Sequence, residues 1–322
     1  MSNVNQPATS DKTLVLLLGP TGVGKTELAL RVAEHLGSPV ISCDSRQVFR
    51  EIPIGTAAPT AEEQARVKHY FIATRSITED YSAGQYERDA LALMDELFLT
   101  RDVLLMTGGS MLYADAVCRG LDDLPSVPDA IRTHIQDELR RLTTREQRLA
   151  WLQAEVQRLD PAYWLMVDRQ NPARLTHCVE LCLTTGQPYS ALRTNTVKQR
   201  PFRIVKVALE RPREQLYERI NRRVEQMVDD GLVDEAREVY PLRHLPALQT
   251  VGYRELFDHF DGQYDLARAI QLIQQNSRHY AKRQLTWFRR DTEIHWLNAE
   301  TNYETNIHCI DSLLGAGGVQ EG

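Results

Sequence analysis

Short apolar runs separated by helical patterns recur along the 322 residues of the chain. The runs cover residues 14–18, 40–43, 103–106, 204–209 and 294–297. Between several of them, apolar residues return at helical spacing, and the helices predicted most directly cover residues 25–36, 84–99 and 213–230. The last of these ends before Gly231, a typical helix stop. Alternating strands and helices predict an α/β protein with a mostly parallel sheet.

No strand pattern lies between the proline-rich joints at residues 120–129 and 198–203. Apolar residues recur there at helical spacing, as at Ile131, Ile135, Leu139 and Leu142, and again at Leu175, Cys178, Val179 and Cys182. We therefore predict a helical insertion between two strands of the core. The predicted division is a first core segment at 12–122, the insertion at 123–197, a second core segment at 198–300 and a C-terminal tail at 301–322.

A long helix is predicted over residues 264–290, with one apolar face. Arg278, Lys282 and Arg289 fall within about 40° of one another on a neighbouring stripe, and Arg283 and Arg290 add charge nearby. A charged stripe is usually a solvated helix face. The alternative is an edge that follows an RNA backbone, since His279, Tyr280 and Trp287 are interleaved with the charges.

Composition changes this picture little. Hydrophobic content of 42% and charged content of 25% are ordinary for a globular protein, and no apolar run is long enough for a membrane span. The short polar N-terminus lacks a signal-peptide pattern, so we expect a loose tail on a cytoplasmic protein. The net charge of −6 gives no general attraction to nucleic acid, although local patches matter more than the sum.

The five cysteines are scattered and include no C-x-x-C pair. They are Cys43, Cys118, Cys178, Cys182 and Cys309. Cys178 and Cys182 lie four residues apart, but a metal site needs further ligands, and only His177 is close in sequence. We predict ordinary buried thiols in a reducing compartment.

The first predicted strand runs into Gly19-x-x-x-x-Gly24-Lys25-Thr26, the pattern of a phosphate-binding loop. It follows a strand and opens a helix, as that pattern requires. Backbone N–H groups and the helix N-terminus would hold a diphosphate, and Lys25 would add a positive charge. Thr26 is placed to bind Mg²⁺ directly or through water. The motif alone does not choose between ATP and another diphosphate compound.

Of two predicted core strands, one is followed by an acidic residue and the other is not. The third core strand, DVLLMTGGS, runs into Gly108 and Gly109 without an acid to help hold Mg²⁺, so ATP hydrolysis is a poor fit. The second strand ends in Asp44, at the sheet edge where α/β proteins bind ligands. Asp44 is a candidate to accept a proton or orient a nucleophile. Alternatively, it only caps the following helix.

Eight segments, in order from about residue 14 to 297, resemble the tRNA dimethylallyltransferases, also called tRNA isopentenyltransferases. They are GPTGVGKT, ISCDSRQVF, IPIGTA, DYSAGQYERDA, TGGSMLY, RINRRVEQMVDDGL, TVGYRE and AKRQLTWFRR. The resemblance implies a P-loop, nucleotide-kinase-like core with a helical insertion. It also implies transfer of a dimethylallyl group from dimethylallyl diphosphate, with Mg²⁺, to the N6 amine of the adenosine on the 3′ side of the tRNA anticodon. We expect a monomer that binds the anticodon stem-loop.

The resemblance also implies residue roles. Asp44 would be the general base for the adenine amine, and Thr21 would hydrogen-bond the bridging oxygen at which the donor breaks. The donor diphosphate would lie on Gly19, Thr21, Gly22, Val23, Gly24, Lys25, Thr26 and Arg223, with Mg²⁺ on Thr26. The tRNA would lie against Asp44, Ser45, Arg46, Gln47, Ser110, Ala173, Arg174, Leu175, Thr176, His177, Thr250, Val251, Gly252, Tyr253, Arg254, Arg278, Lys282, Arg283, Gln284 and Arg289.

The chain departs from the family pattern in three places: many members have Tyr at Phe49, Lys at Ala58 and Thr at Ser110. The missing cation at Ala58 leaves a gap that Lys68 would have to fill. No zinc-finger extension follows, which favours a bacterial type of enzyme. The rivals are an adenylate dimethylallyltransferase, a small-molecule kinase that uses ATP, and a non-catalytic RNA-binding protein. The insertion and the basic helix favour tRNA over a free nucleotide as acceptor.

Overall fold

The computed structural model describes residues 12–194 and 196–316, which divide into two compact units. The sheet unit comprises the described residues up to Cys118 and from Gln199 onward, and the helical unit is Arg119–Lys198. The predicted insertion, 123–197, lies within the helical unit. The predicted N-terminal tail falls, up to residue 11, outside the described residues. None of the described helices combines the length and the apolar character that crossing a membrane requires.

In the described part of the chain, the sheet unit is built on six parallel strands in the order β3-β2-β4-β1-β5-β6. The strands are β1 (Thr13–Leu18), β2 (Val40–Ser42), β3 (His69–Tyr70), β4 (Val103–Thr107), β5 (Arg203–Glu210) and β6 (His295–Asn298). The prediction of a parallel α/β sheet is confirmed, and all five predicted runs form strands. β3 was missed because two residues carry no readable pattern.

Ten α-helices begin in the sheet unit. They are α1 (Lys25–Leu36), α2 (Pro53–Thr56), α3 (Ala61–Arg66), α4 (Ala83–Phe98), α5 (Met111–Arg119), α11 (Arg213–Asp229), α12 (Leu232–Val239), α13 (Tyr253–Phe260), α14 (Leu266–Phe288) and α15 (Tyr303–Gly315), with 3₁₀ turns at Tyr240–Leu242 and Pro246–Leu248. The helical unit contains α6 (Asp129–Arg141), α7 (Arg145–Leu159), α8 (Pro161–Trp164), α9 (Pro172–Thr185) and α10 (Tyr189–Leu192). These counts refer to the residues that the structure describes.

The central strand β1 is buried on both faces. Leu14 and Leu16 pack in a cluster with Tyr86 and Met94 of α4. The alternate residues Val15 and Leu17 pack in a second cluster, with residues of α1, α11 and α15. A strand covered by helices on both faces needs apolar side chains at every position, which is why its sequence reads as a continuous run.

The prediction for the C-terminal segment was wrong. We predicted a tail over 301–322, but Tyr303–Gly315 forms α15, whose Ile310 is buried in the cluster of Val15 and Leu17. Arg203 of β5 also donates hydrogen bonds to the carbonyls of Leu313 and Leu314. The helix forms because its apolar residues cover one face of the sheet.

The helical unit has its own core, which includes Leu152, Val156, Leu175 and Val179. Its first and last residues are neighbours, since the N–H of Lys198 donates to the carbonyl of Arg119 at 2.8 Å. The chain therefore leaves and re-enters the sheet unit at one place.

Four of the five cysteines are buried thiols as predicted, but Cys309 is exposed. The sequence also missed that Asp160 lies beside Cys178 and Cys182, with potential ligand atoms of all three within 4.8 Å of one another. The carboxylate of Asp160 already accepts hydrogen bonds from the N–H of Tyr163 at 2.8 Å and from the N–H and hydroxyl of Ser190 at 2.6 and 2.8 Å. Both oxygens of Asp160 are therefore hydrogen-bonded within the protein, and the residue serves as a helix cap.

A candidate active site at the carboxyl edge of the sheet

A cavity of about 1410 Å³ opens where β1, β2 and β4 end. We call it the reaction cavity. Its walls come from the phosphate-binding loop, the segments after β2 and β4, residues 53–61, one face of α11, residues 249–252 and one face of α14. The carboxyl edge of an open parallel sheet is where α/β proteins place their ligands, because the loops that follow neighbouring strands meet there.

The phosphate-binding loop precedes α1 as the motif predicts. Gly22 and Gly24 adopt φ angles of 79° and 111°, in the region that favours glycine, and α1 begins at Lys25. Lys25 folds back over its own loop, and its Nζ donates to the carbonyls of Gly19 and Pro20 at 2.7 and 3.0 Å. Burial and then the neighbouring Arg223 lower the pKa of Lys25 to about 8. An anion bound here would restore the charge that burial disfavours.

Not every loop residue assigned to the donor reaches the reaction cavity. Thr21, Gly22, Gly24, Lys25 and Thr26 line it. Gly19 and Val23 do not, and the side chain of Val23 is fully buried under the loop. Their assignment to the donor was to the loop backbone and stays a prediction, and both residues also shape the loop: a Cβ at Gly19 would stand only 3.0 Å from the carbonyl oxygen of Leu209.

Two arginines of α11 donate hydrogen bonds to the phosphate-binding loop. Arg223 Nη1 donates to the hydroxyl of Thr21 at 3.2 Å, and burial lowers the pKa of its guanidinium. Arg219 Nε donates to the carbonyl of Gly22 at 2.9 Å. Arg219 was not predicted. Its spacing of four residues from Arg223, which puts both on one face of the helix, was the available signal.

The carboxylate of Asp44 uses its two oxygens differently. Oδ1 accepts hydrogen bonds from the N–H groups of Arg46 and Gln47, at 2.9 and 3.4 Å, and so caps the turn that follows β2. Oδ2 has no hydrogen bond from any described residue, and the cavity includes Asp44 in its wall. The capping alternative was wrong in one respect, since residues 45–48 form a turn and not a helix. Capping and proton acceptance are compatible because each uses its own oxygen.

Ser45, Arg46 and Gln47 line the reaction cavity beside Asp44. The hydroxyl of Ser110 accepts from the N–H of Ser45 at 2.8 Å and donates to its hydroxyl at 2.9 Å, which fixes the turn. Gln47 Nε2 donates to the carbonyl of Ala57 at 2.9 Å and thereby joins the turn to residues 53–58. Ser110 is buried and does not line the cavity, so its predicted contact with tRNA is wrong. Ser110 and Gln47 hold the turn in place.

Residues 53–58 are also held by Glu235 of α12. Its carboxylate accepts hydrogen bonds from the N–H groups of Ile54 and Gly55, at 2.7 and 2.8 Å, and from the hydroxyl of Tyr253. Tyr253 is completely buried, so its predicted contact with tRNA is wrong: the ring packs in the apolar cluster of Ile52 and Leu256. Neighbouring Thr250, Val251, Gly252 and Arg254 do line the reaction cavity.

The reaction cavity is positive although the whole chain carries a net charge of −6. Among the described residues, seven Lys or Arg side chains line it against four Asp or Glu. The cations are Lys25, Arg46, Arg219, Arg222, Arg223, Arg254 and Arg283, and the acids are Glu27, Asp44, Glu63 and Asp230. Ala58 also lines the cavity, whereas Lys68 does not and instead lies over the ring of Tyr70. The cation missing at Ala58 is therefore not replaced by Lys68.

The two sides of α14 face different spaces. Tyr280, Arg283 and Gln284 line the reaction cavity. Lys282 and Arg289, from the predicted basic stripe, line a second cavity of about 590 Å³ instead. Arg278, the third residue of the stripe, donates to the Oδ1 of Asn221 at 2.6 Å. The basic stripe exists as predicted, but it points away from the reaction cavity.

Two further residues assigned to tRNA need correction. Leu175 of α9 is fully buried in the core of the helical unit, while Ala173, Arg174 and His177 of the same segment are exposed and Thr176 is half-buried. Gln284 is only 1% exposed, and both ends of its amide bond to the protein. A contact with RNA requires an accessible side chain, which these two residues lack.

The residues around Thr26 suit a Mg²⁺ ion that is held mainly by the oxygens of a bound diphosphate and by water. Thr26 is exposed to the reaction cavity, and β4 ends at Thr107, whose hydroxyl donates to the carbonyl of Leu17. No cluster of three acidic, His or Cys side chains is formed here by the described residues. Mg²⁺ is often bound by one or two protein groups together with phosphate oxygens and water. The hydroxyl of Thr26 fits that arrangement if a diphosphate lies on the loop.

The sequence model of one family, IPP transferase, matches residues 47–291. Two relatives named tRNA dimethylallyltransferase 2, from Parabacteroides distasonis and Porphyromonas gingivalis, are 52% and 53% identical to this chain over 302 residues. Each match covers 94% of this chain and 99% of the relative. The chain belongs to the IPP transferase family.

Solved structures agree with membership of the IPP transferase family. The tRNA isopentenylpyrophosphate transferase of Bacillus halodurans is 32% identical, with a TM-score of 0.68, and the match covers 95% of this chain and 96% of that one. The corresponding enzyme of Staphylococcus epidermidis is 27% identical, with a TM-score of 0.67, covering 95% and 100%. A eukaryotic dimethylallyltransferase that acts on tRNA shares the fold at 20% identity and a TM-score of 0.74, covering 96% and 81%.

Proposed function

We propose that this protein transfers a dimethylallyl group from dimethylallyl diphosphate to the N6 amine of the adenosine on the 3′ side of a tRNA anticodon, releasing diphosphate. The observation that carries the proposal is that one cavity contains both the phosphate-binding loop with Arg223 and the unbonded oxygen of Asp44. The family membership and the names of the relatives support the same reaction.

At the donor end, the diphosphate would lie on the loop with its charge facing Lys25, Arg219 and Arg223. The bond between the allylic carbon and the bridging oxygen breaks, and negative charge grows on the diphosphate. The Thr21 hydroxyl, held by Arg223, would donate to that bridging oxygen. Fixed cations and hydroxyls stabilise such a leaving group because they need no reorganisation as the charge forms. Mg²⁺ on Thr26, when bound, would supply additional positive charge.

At the acceptor end, a new bond forms between the allylic carbon and the adenine amine, and the amine proton passes to Oδ2 of Asp44. An adenine amine is a weak nucleophile because its lone pair is delocalised into the ring. A held carboxylate in general-base catalysis contributes about 10²–10⁴-fold. The adenosine must be extruded from the anticodon loop, since a stacked base cannot enter a cavity of this kind.

For tRNA binding, we propose the exposed cations beside this site. Arg254 and Arg283 line the reaction cavity, and Lys282 and Arg289 lie on the other side of α14. In the helical unit, the exposed residues Arg174 and His177 of α9 present a further surface for the stem-loop. Such contacts recognise RNA by shape and phosphate position.

The test is a comparison of acceptors. The protein is incubated with Mg²⁺ and dimethylallyl diphosphate, together with either tRNA or AMP, and the digested products are analysed by mass spectrometry. We expect isopentenyl-adenosine from tRNA only. Product from AMP alone would establish the adenylate-modifying alternative. Phosphoryl transfer from ATP to a small molecule, with no prenyl transfer, would establish the kinase alternative.

A further inference from the structure

We infer that Gln284 is a positioning residue that holds the donor half and the acceptor half of the reaction cavity at a fixed separation. The inference rests on the proposed function and goes beyond it, because it assigns a structural task to a buried residue that the reaction as proposed does not use. The sequence placed Gln284 against tRNA, but its burial excludes that contact.

The amide of Gln284 joins two loops that are far apart in sequence. Oε1 accepts a hydrogen bond from the N–H of Thr21 at 2.9 Å. Nε2 donates to the carbonyl of Gly109 at 2.8 Å. One partner is a donor and the other an acceptor, so only one orientation of the amide satisfies both.

From Gly109 the connection continues to the proposed general base. The next residue, Ser110, bonds to both the N–H and the hydroxyl of Ser45, which directly follows Asp44. Gln284 therefore links Thr21, at the bond that breaks, with the turn that carries Asp44, at the amine that reacts. The hydroxyl of Tyr280 reaches the same Gly109 carbonyl at 3.5 Å, the outer limit of a hydrogen bond, so the amide of Gln284 makes the stronger contact.

The amide of Gln284 packs directly against the backbone of Gly109. A Cβ at position 109 would stand 2.5 Å from Nε2 of Gln284, closer than real atoms approach. A side chain there would push the amide away from the carbonyl. Glycine at position 109 is thus explained by the approach of Gln284.

A fixed separation matters because reacting atoms must be held about 3–3.5 Å apart, and a displacement of about 1 Å can lower the rate about 10²-fold. The two loops leave the sheet at strand ends, beyond the last paired residues. A buried amide with both groups bonded resists their relative movement. Its loss should therefore lower the rate of the chemical step more than it weakens the binding of either substrate.

The experiment compares Gln284→Met with Gln274→Met in the full-length protein. Gln274 lies on the same helix, outside both cavities, and among the described residues its side chain bonds only to Asn221 and Glu225. We expect Gln284→Met to lower kcat about 10- to 100-fold. KM for each substrate, and the affinity for inorganic diphosphate with Mg²⁺, should change less than about threefold. Gln274→Met should behave like the wild type.

A double-mutant cycle adds a second readout. Gly109→Ala should lower kcat in the same way, and Gly109→Ala with Gln284→Met should lower it little further, because both changes break one link. Rates are expressed per diphosphate-binding site, so that a partly unfolded variant is still measured.

If the wild type is active and Gln284→Met has the same kcat, the inference about Gln284 fails while the proposed function stands. A loss confined to KM would have the same consequence. A wild type that transfers nothing to tRNA would overturn the proposed function and this inference with it.

Discussion

Replacing Asp44 by Asn separates its two tasks, because the two oxygens of the carboxylate do different work. Asn retains an oxygen that accepts from the N–H groups of Arg46 and Gln47, so the turn after β2 should persist. It replaces the second oxygen, Oδ2, by an NH₂ group that cannot take a proton. We therefore expect the folded protein to remain and the transfer to slow.

The expected magnitude follows from the proton-transfer step. Loss of a general base lowers the rate about 10²–10⁴-fold, which is about 2.7–5.4 kcal/mol in activation free energy. The free energy of unfolding should change by less than about 0.5 kcal/mol, as for substitutions that keep their hydrogen bonds. Affinity for tRNA should stay within a few-fold, since no positive charge is lost.

The assay is a single-turnover transfer to tRNA, accompanied by urea unfolding. Asp44→Ala is the matched control: it removes the base and both turn hydrogen bonds, so the rate should fall equally and stability should fall by a further ~1 kcal/mol. An Asn variant with a rate within threefold of the wild type would refute the reasoning and leave Asp44 as a cap alone.

Three further predictions concern charge, anchoring and the helical unit. Because the pKa of Lys25 is about 8, its charge is lost as the pH rises past 8. Affinity for inorganic diphosphate should then fall up to about tenfold per pH unit in calorimetry, and Lys25→Arg, which stays charged, should lack this step. In Glu235→Gln, an NH₂ group replaces one carboxylate oxygen, so the N–H of either Ile54 or Gly55 loses its acceptor. Urea unfolding should show that the free energy of unfolding falls by about 1–3 kcal/mol. Replacement of residues 120–197 by a short glycine-serine linker should leave a folded sheet unit, because Arg119 and Lys198 are already hydrogen-bonded neighbours. Circular dichroism should show that fold, inorganic diphosphate should still bind, and mass spectrometry should find no modified tRNA.

The sequence by itself determined the elements whose signal is local. The continuous apolar run at β1 shows a strand covered on both faces, and the spacing from Gly19 to Thr26 shows a phosphate-binding loop with α1 behind it. Both follow from contacts between near neighbours and from exclusion of water, which leave a readable pattern. The two-residue strand β3 and the helix α15 escaped prediction, the first because it is too short to show a period.

Only the tertiary structure decided which side chains reach the reaction cavity. Lys282 and Gln284 were both placed against tRNA, because no sequence pattern says which of them faces the cavity; that depends on how α14 packs against the sheet. The bond from Gln284 to Thr21 spans 263 residues of chain, and the contact of Arg219 with Gly22 spans 197. Such pairings come from the closure of distant segments on one core, and no local pattern of residues records them.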